Sequence, residues 1–114
     1  MSSSASSPFP PETDGGNVTH DELRAALKAG TIALVDVREP HEFAAGHLPT
    51  ATNLPLSRFD PDELPRGKPI VLVCQAGGRS AKALGAAIAA GVKDIRHYPG
   101  GTGGWRALGE AVEG

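Results

Sequence analysis

Short apolar runs, separated by glycine, proline and polar residues, divide the chain into alternating strands and helices. Residues 32–35 and 70–73 are each four consecutive apolar residues, which is typical of strands buried on both faces of a parallel sheet. Two other short segments, at 52–54 and 94–98, predict further strands. We therefore expect an α/β fold, with a central parallel sheet of about five short strands and helices on both faces.

Helices are predicted between these strands, and several of their ends are marked in the sequence. Thr19 and Glu22 have the spacing of a capping box, and Gly30 ends the helix that follows. Further helical segments are predicted at 40–45, at 60–64 with an aspartate N-cap, in the alanine-rich run 81–90, and at 105–112.

The strand at 70–73 runs directly into Cys74, the only cysteine of the chain, and a Gly-rich loop follows. Ligands bind at the carboxyl ends of strands in open α/β sheets. The loop enters a helix N-terminus, where free N–H groups and the helix dipole favour negative charge. Gly77 and Gly78 allow the positive φ of an anion-binding turn, and Arg79 adds a positive charge.

This setting predicts that the pKa of the Cys74 thiol lies below the value of about 8.5 for a free cysteine. Cys74 is therefore a candidate nucleophile. The alternative is a small buried apolar residue, as many free cysteines are, but a core strand has no need of the Gly-Gly-Arg-Ser loop that follows.

Other candidate side chains surround this loop in the predicted fold. Asp36 ends the strand at 32–35 and, if the strands are parallel, lies near the same sheet edge as Cys74. Asp36 and Arg38 either form an ion pair that braces the loop or cap the strand end. Glu42 is expected to pair with an arginine that the sequence does not identify. Ser80 is either a first-turn helix residue or a hydroxyl donor to a substrate anion.

The remaining polar and aromatic residues suggest no second site. The four histidines have neither the spacing of a metal site nor that of a base beside a nucleophile; they are His20, His41, His47 and His97. Trp105 is expected to be a packing residue in the closing helix.

Composition limits the function classes. The formal net charge is −2, from 11 basic and 13 acidic residues, so nucleic-acid or anionic-membrane binding is not expected. A single cysteine excludes an internal disulfide framework and a multi-cysteine zinc site and fits a reducing compartment, so we expect a cytoplasmic protein. No apolar run approaches the ~20 residues of a transmembrane helix, and residues 1–16 lack the features of a signal peptide.

The N-terminal segment differs in composition from the rest. Residues 1–16 are rich in serine, proline and glycine, which predicts a disordered tail. The alternative is a short partner-binding segment around Phe9. The domain is expected to span residues 17–114.

Three segments resemble signatures of the rhodanese, or sulfurtransferase, domain family. Residues 74–80, CQAGGRS, are similar to its active-site loop CxxGxR[ST], and residues 36–55 are similar to DVRxxxEFxxGHIPGAxNIP. Residues 100–105 resemble its Gly-Gly…Gly-Trp signature. One departure is Thr50, where the family usually has glycine.

This resemblance covers about residues 17–114 and implies a rhodanese-like domain with Cys74 as the catalytic residue. It implies a substrate-binding loop of Gln75, Ala76, Gly77, Gly78, Arg79 and Ser80. Asp36, Arg38 and Glu42 are expected to support that loop, and His47 to have a structural role. No cofactor or metal is implied.

The activity implied by the resemblance is sulfur transfer. The Cys74 thiolate would take a sulfane sulfur from a small anionic donor such as thiosulfate, docked with the help of Arg79, and pass it from a persulfide to a thiol or cyanide. An alternative is a persulfide carrier or regulatory binding module docked to a partner enzyme of a sulfur relay. Cysteine phosphatase or arsenate reductase activity is disfavoured, because the six-residue loop from Cys74 to Arg79 is one residue shorter than in related dual-specificity phosphatases.

Overall fold

Four parallel strands form the central sheet. The computed structural model describes residues 7–114, in which β1 spans Ala33–Asp36, β2 Thr52–Asn53, β3 Ile70–Val73 and β4 Ile95–His97. The strands lie in the order β2-β1-β3-β4, and all neighbours are parallel. Asp36 pairs with Val73, so the residues that follow β1 and β3 meet at one edge of the sheet.

The fifth strand position is reduced to a single bridge beside β4. Asn17 pairs with His97, the amide of Val18 donates to the His97 carbonyl at 2.9 Å, and the amide of His97 donates to the Gly16 carbonyl at 3.0 Å. The segment cannot extend into a full strand because Thr19 already caps the first helix. The sheet thus has four strands where about five were predicted.

Residues 7–114 also form four helices and three short 3₁₀ turns, which precede, connect or follow the strands. The helices are α1 His20–Ala29, α2 Pro40–Ala44, α3 Gly78–Ala89 and α4 Gly101–Ala107, and the turns are Pro11–Thr13, Leu56–Arg58 and Pro61–Glu63. The capping box of α1 is confirmed, with the Glu22 amide donating to Thr19 Oγ1 at 3.1 Å and the Thr19 amide donating to Glu22 Oε1 at 2.9 Å. The last helix, predicted at 105–112, is α4, which begins four residues earlier, at 101, and ends at 107.

Side chains alternate across the sheet, and each face is covered by helices. Ile70, Leu72 and Cys74 pack on the side of α3, whereas Val71 and Val73 pack on the side of α1 and α4. The prediction of helices on both faces is confirmed. This alternation also places the sulfur of Cys74 on the α3 side, where α3 begins.

Residues 7–16 pack against the domain, so the predicted disordered tail is wrong for this segment. Phe9 is only 3% exposed, and the guanidinium of Arg96 lies 4.9 Å from its ring centroid. Arg96 is buried on β4 and donates two further hydrogen bonds into the segment, and Asp14 accepts from the backbone of β4. Composition does not reveal that a buried arginine needs these acceptors. Residues 1–6 lie outside the described part of the chain.

Thr50 adopts a left-handed backbone with φ +68°. A β-branched residue is strained there, because its Cβ substituents crowd the backbone. This conformation explains why glycine is the usual residue in the signature that the segment resembles.

None of the helices within residues 7–114 is long and apolar enough to cross a membrane.

Candidate active site

Cys74 follows β3 and lies at the base of the loop that enters α3. Its side chain is 1% exposed, and Sγ accepts hydrogen bonds from the amides of Gly77 at 3.1 Å and Ser80 at 3.3 Å. Ser80 Oγ lies 3.5 Å from Sγ. The sulfur is therefore surrounded by donors, an arrangement that stabilises a negative charge.

The pKa of the Cys74 thiol lies below its ordinary value as a result of two opposed effects. Burial raises the pKa, since a charged sulfur is poorly solvated there. Hydrogen bonds from the Ser80 hydroxyl and amide, and from the amides of Ala76 and Gly77, lower it by more in total. The lowered pKa predicted from the sequence is confirmed in direction, and its main favourable source is the ring of donors.

The first turn of α4 sets the orientation of the loop amides. Thr102 donates its amide to the Cys74 carbonyl at 2.8 Å, and Gly103 donates to the Gln75 carbonyl at 3.0 Å. Each peptide unit is planar with its N–H opposite its C=O, so carbonyls turned towards α4 leave the following amides facing the pocket. Gly101 has φ +67°, and a Cβ there would lie 2.7 Å from the Cys74 carbonyl oxygen. Only glycine allows this close approach.

Within the loop the two adjacent glycines differ. Gly77 has φ +99°, and a Cβ there would lie 2.7 Å from the Pro99 carbonyl oxygen, so it makes the expected turn. Gly78 has no positive φ, and it is the first residue of α3. The anion-binding turn therefore needs one left-handed residue rather than two.

Glu42 pairs with Arg79, which identifies the arginine that the sequence left open. Arg79 Nη1 and Nη2 donate to the two Glu42 oxygens at 2.6 and 2.9 Å. This pairing lowers the pKa of Glu42 to about 2 and raises the pKa of Arg79. The Arg79 side chain is thus held at the pocket rim with its charge balanced, and it is less available to a substrate anion than the sequence suggested.

Asp36 and Arg38 form a buried ion pair beneath the loop. The Arg38 guanidinium donates to both Asp36 oxygens, with a shortest distance of 2.8 Å, and also to the Gly46 carbonyl at 2.7 Å. Its Nη1 lies 3.4 Å from Gln75 Oε1. Asp36 also accepts from the Arg38 amide, so both the pairing and the capping considered for it occur. The pair links the segment after β1 to the start of the active-site loop.

A pocket of about 330 Å³ opens above Cys74. It is lined by Leu56, Cys74, Gln75, Ala76, Gly78, Arg79 and Lys82. Lys82 was not predicted, although it follows Arg79 by three residues and so lies on the same helix face. Within the described residues no carboxylate lies within ion-pair distance of Lys82. Two other cavities, of about 350 and 400 Å³, lie near the opposite ends of the strands.

His97, like Lys82, is a residue of this site that sequence reasoning missed. It ends β4, is 7% exposed, and its Nδ1 lies 2.8 Å from Ser80 Oγ. Burial lowers the pKa of His97. The alternation of β4, with Ile95 and His97 on the α3 side, was the signal that could have found it, but the strand register was needed to place it beside Ser80.

The other predicted residues have packing roles. His47 stacks on Phe43 with 3.8 Å between ring centroids, and its Nδ1 lies 2.9 Å from the Phe43 carbonyl. Trp105 is buried, its ring lies perpendicular to that of Tyr98, and its Nε1 donates to the Ala111 carbonyl at 3.0 Å. No cluster of three or more potential metal ligands occurs in the part of the chain that the structure describes.

Comparison with known proteins places this geometry in one family. The sequence profile of the rhodanese-like domain matches residues 19–108. The human single-domain sulfurtransferase TSTD1 superposes with a TM-score of 0.70 and 30% identity, over 87% of this chain and 97% of that structure. Thiosulfate sulfurtransferase GlpE of Pseudomonas syringae pv. syringae is 33% identical over 88 residues, which is 75% of this chain and 82% of that protein.

Other relatives are longer. The uncharacterized protein slr1261 of Synechocystis is 48% identical over 89 residues, which is 76% of this chain and 50% of that protein. The probable adenylyltransferase/sulfurtransferase MoeZ of Mycobacterium tuberculosis is 40% identical over 96 residues, 80% of this chain and 24% of that protein. The chain thus spans half or less of the length of these two curated relatives.

Proposed function

This chain belongs to the rhodanese-like domain family, and on that basis we propose that it transfers a sulfane sulfur through a persulfide on Cys74. The observation that carries the proposal is the geometry of Sγ, which accepts hydrogen bonds from the amides of Gly77 and Ser80 at the base of an open pocket. Such a site holds a thiolate and leaves room above it for a second sulfur. Sulfurtransferases among its relatives support the same reaction class.

The reaction has two displacement steps. The Cys74 thiolate attacks the outer sulfur of a donor such as thiosulfate, the donor S–S bond breaks, and sulfite leaves with the bonding electrons. A thiol or cyanide then attacks the terminal sulfur of the persulfide, and the Cys74 thiolate leaves. A lowered thiol pKa supports both steps, because it populates the attacking thiolate and makes it a better leaving group. Neither step requires a general base.

The loop amides support the charge that accompanies these steps. A persulfide anion placed above Sγ would lie near the N–H groups of residues 75–80, where fixed dipoles stabilise negative charge without reorganising. An anionic donor would approach past Lys82, with Arg79 beside it at the rim. Because Glu42 balances the charge of Arg79, Lys82 is the better candidate for binding the donor anion.

A second candidate is a persulfide carrier that delivers sulfur to a partner protein. Gln75, Ala76 and Gly78 are exposed at the pocket mouth, so a partner's thiol or activated carrier could reach the sulfur. The relative MoeZ is described as a probable adenylyltransferase/sulfurtransferase, and this combination of activities supports a sulfur relay. A cytoplasmic location suits both candidates, since a reducing compartment preserves the free thiol. Phosphatase chemistry is less favoured because the six-residue loop from Cys74 to Arg79 leaves less room for a phosphate tetrahedron above the thiolate than the longer phosphatase loop does.

Steady-state kinetics test the free-enzyme proposal. With thiosulfate and cyanide as substrates, we expect double-reciprocal plots with parallel lines, which are the signature of a covalent intermediate. Cys74→Ser should remove this turnover. Turnover of an aryl phosphate that is lost in the same variant would contradict the proposal. Absence of turnover with every small donor, together with sulfur loading from a persulfide-bearing protein, would favour the carrier.

A further inference from the structure

A line of three side chains runs from the sulfur into the sheet. Cys74 Sγ lies 3.5 Å from Ser80 Oγ, and Ser80 Oγ lies 2.8 Å from His97 Nδ1. All three residues are buried. The line arises from register, because Leu72 pairs with His97 in the sheet and Cys74 follows Leu72 by two residues on the same face.

Ser80 has a single hydroxyl hydrogen for three neighbours. Its Oγ lies near Sγ, near the Gly77 carbonyl at 3.2 Å, and near Nδ1 of His97. A thiolate and a carbonyl can only accept, whereas Nδ1 of a neutral histidine donates or accepts according to its tautomer. The tautomer of His97 therefore decides where the Ser80 hydrogen goes.

The two tautomers have opposite effects on the thiolate. With its hydrogen on Nε2, His97 accepts the Ser80 hydrogen at Nδ1 and the sulfur loses a donor. With its hydrogen on Nδ1, His97 donates to Ser80 Oγ and leaves the hydroxyl hydrogen free. A charged sulfur then competes for that hydrogen better than a neutral carbonyl does, since hydrogen bonds to ionised acceptors are stronger.

We propose that His97 is a positioning residue for the Cys74 thiolate: its Nδ1–H donates to Ser80 Oγ and thereby directs the Ser80 hydroxyl to Sγ. The inference rests on the proposed function only in requiring that Cys74 reacts as a thiolate. Arg79 and Lys82 of α3 line the pocket with Cys74, and the guanidinium of Arg79 is bound by Glu42 of α2. Burial also lowers the pKa of His97, which favours the neutral ring that the proposal needs.

Nitrogen NMR of the unmodified protein tests the tautomer directly. At a pH where Cys74 is ionised, we expect His97 to carry its hydrogen on Nδ1. In Cys74→Ala, where no thiolate draws the Ser80 hydrogen, we expect the population to move towards the Nε2 tautomer. An Nε2 tautomer in the thiolate state, or the same tautomer population in both proteins, would overturn the proposal.

Variants test the consequence for the thiol pKa, measured from thiolate absorbance and from the pH dependence of alkylation. His97→Phe and Ser80→Ala should each raise the pKa of Cys74 by about one unit, as expected for loss of one hydrogen bond to a charged group. The double variant should give no larger shift than either alone, because both changes remove the same bond. His97→Asn, whose amide can still donate to Ser80, should recover most of the shift.

His41→Phe is the matched control, since His41 is an exposed histidine on α2, and it should leave the pKa of Cys74 unchanged. If His97 had a purely structural role, His97→Phe would lower stability without shifting the pKa of Cys74. An unchanged pKa of Cys74 in folded His97→Phe, or additive pKa shifts in the double variant, would refute the proposal. If His97→Phe does not fold, the NMR result on the unmodified protein decides.

None of these measurements requires sulfur transfer, so the two proposals fail separately. If the unmodified protein forms a persulfide but the pKa of Cys74 is unchanged in His97→Phe, only the role of His97 is overturned. Coupled pKa shifts without persulfide formation from any donor would overturn only the proposed function.

Discussion

Removing the charge of Asp36 should destabilise the domain strongly. Asp36 is fully buried and Arg38 is 3% exposed, and the Arg38 guanidinium contacts both oxygens of the carboxylate. In Asp36→Asn the guanidinium stays buried without a counter-charge. Breaking a buried pair in this way costs about 3–5 kcal/mol, and we expect the lower end because the asparagine oxygen still accepts one hydrogen bond.

A loss of about 3 kcal/mol is large for a domain of this size. It corresponds to a fall in the unfolding midpoint of roughly 12–20 °C. Urea unfolding followed by the fluorescence of the buried Trp105 measures it as a change in the free energy of unfolding. Asp62→Asn, which changes an exposed carboxylate, is the control and should stay within about 0.5 kcal/mol of the unmodified protein.

A double variant distinguishes the cost of an unpaired buried charge from the cost of lost packing. Asp36→Leu combined with Arg38→Met replaces both charges with apolar side chains, so it should cost less than the sum of the single changes. A loss below about 1 kcal/mol in Asp36→Asn would refute the reasoning, since it would mean that water reaches the guanidinium and that the pair does not brace the loop.

Four further predictions concern other parts of the chain. Phe9→Ala should lower the free energy of unfolding, measured in urea, by about 3 kcal/mol. The loss cannot exceed the free energy with which residues 7–16 pack on the domain. A change below about 0.5 kcal/mol would mean that this segment is detached. Thr50→Gly should increase the free energy of unfolding by about 1 kcal/mol, because glycine relieves the left-handed strain. The thermal midpoint should therefore rise, and a lowered midpoint would contradict this. Glu42 should titrate near pH 2 by NMR rather than near its ordinary 4.5; because its pKa is lowered by folding, its stabilisation is present above about 4.5 and is lost as pH falls towards 2. Lys82→Gln should raise KM for thiosulfate about five-fold with little change in kcat, as expected for one exposed charge pair, whereas Lys93→Gln at a remote surface should change neither.

Local sequence signals predicted the features that depend on neighbouring residues. The capping box at Thr19, the helix end at Gly30 and the turn at Gly77 each follow from the conformations that these residue types allow. The position of Cys74 between a buried strand and a helix also follows from local pattern, because a continuous apolar run marks the strand and an alanine-rich run marks the helix.

Contacts between distant segments could not be read in the same way. The pairing of Arg79 with Glu42 joins residues 37 positions apart, and His97 reaches Ser80 only through the register of β3 and β4. Phe9 lies in a segment of low-complexity composition, yet it is buried because Arg96 of β4 needs partners there. These contacts depend on tertiary geometry, which residue propensities do not encode.

The mass of the intact protein after incubation with thiosulfate tests the central claim most directly. We expect the unmodified protein to gain the mass of one sulfur atom, to lose it on addition of cyanide, and Cys74→Ser to gain nothing. The control is alkylation before incubation, which should block the gain. A protein whose Cys74 is reactive to alkylation but gains no sulfur from thiosulfate or from a persulfide-bearing protein would contradict the account.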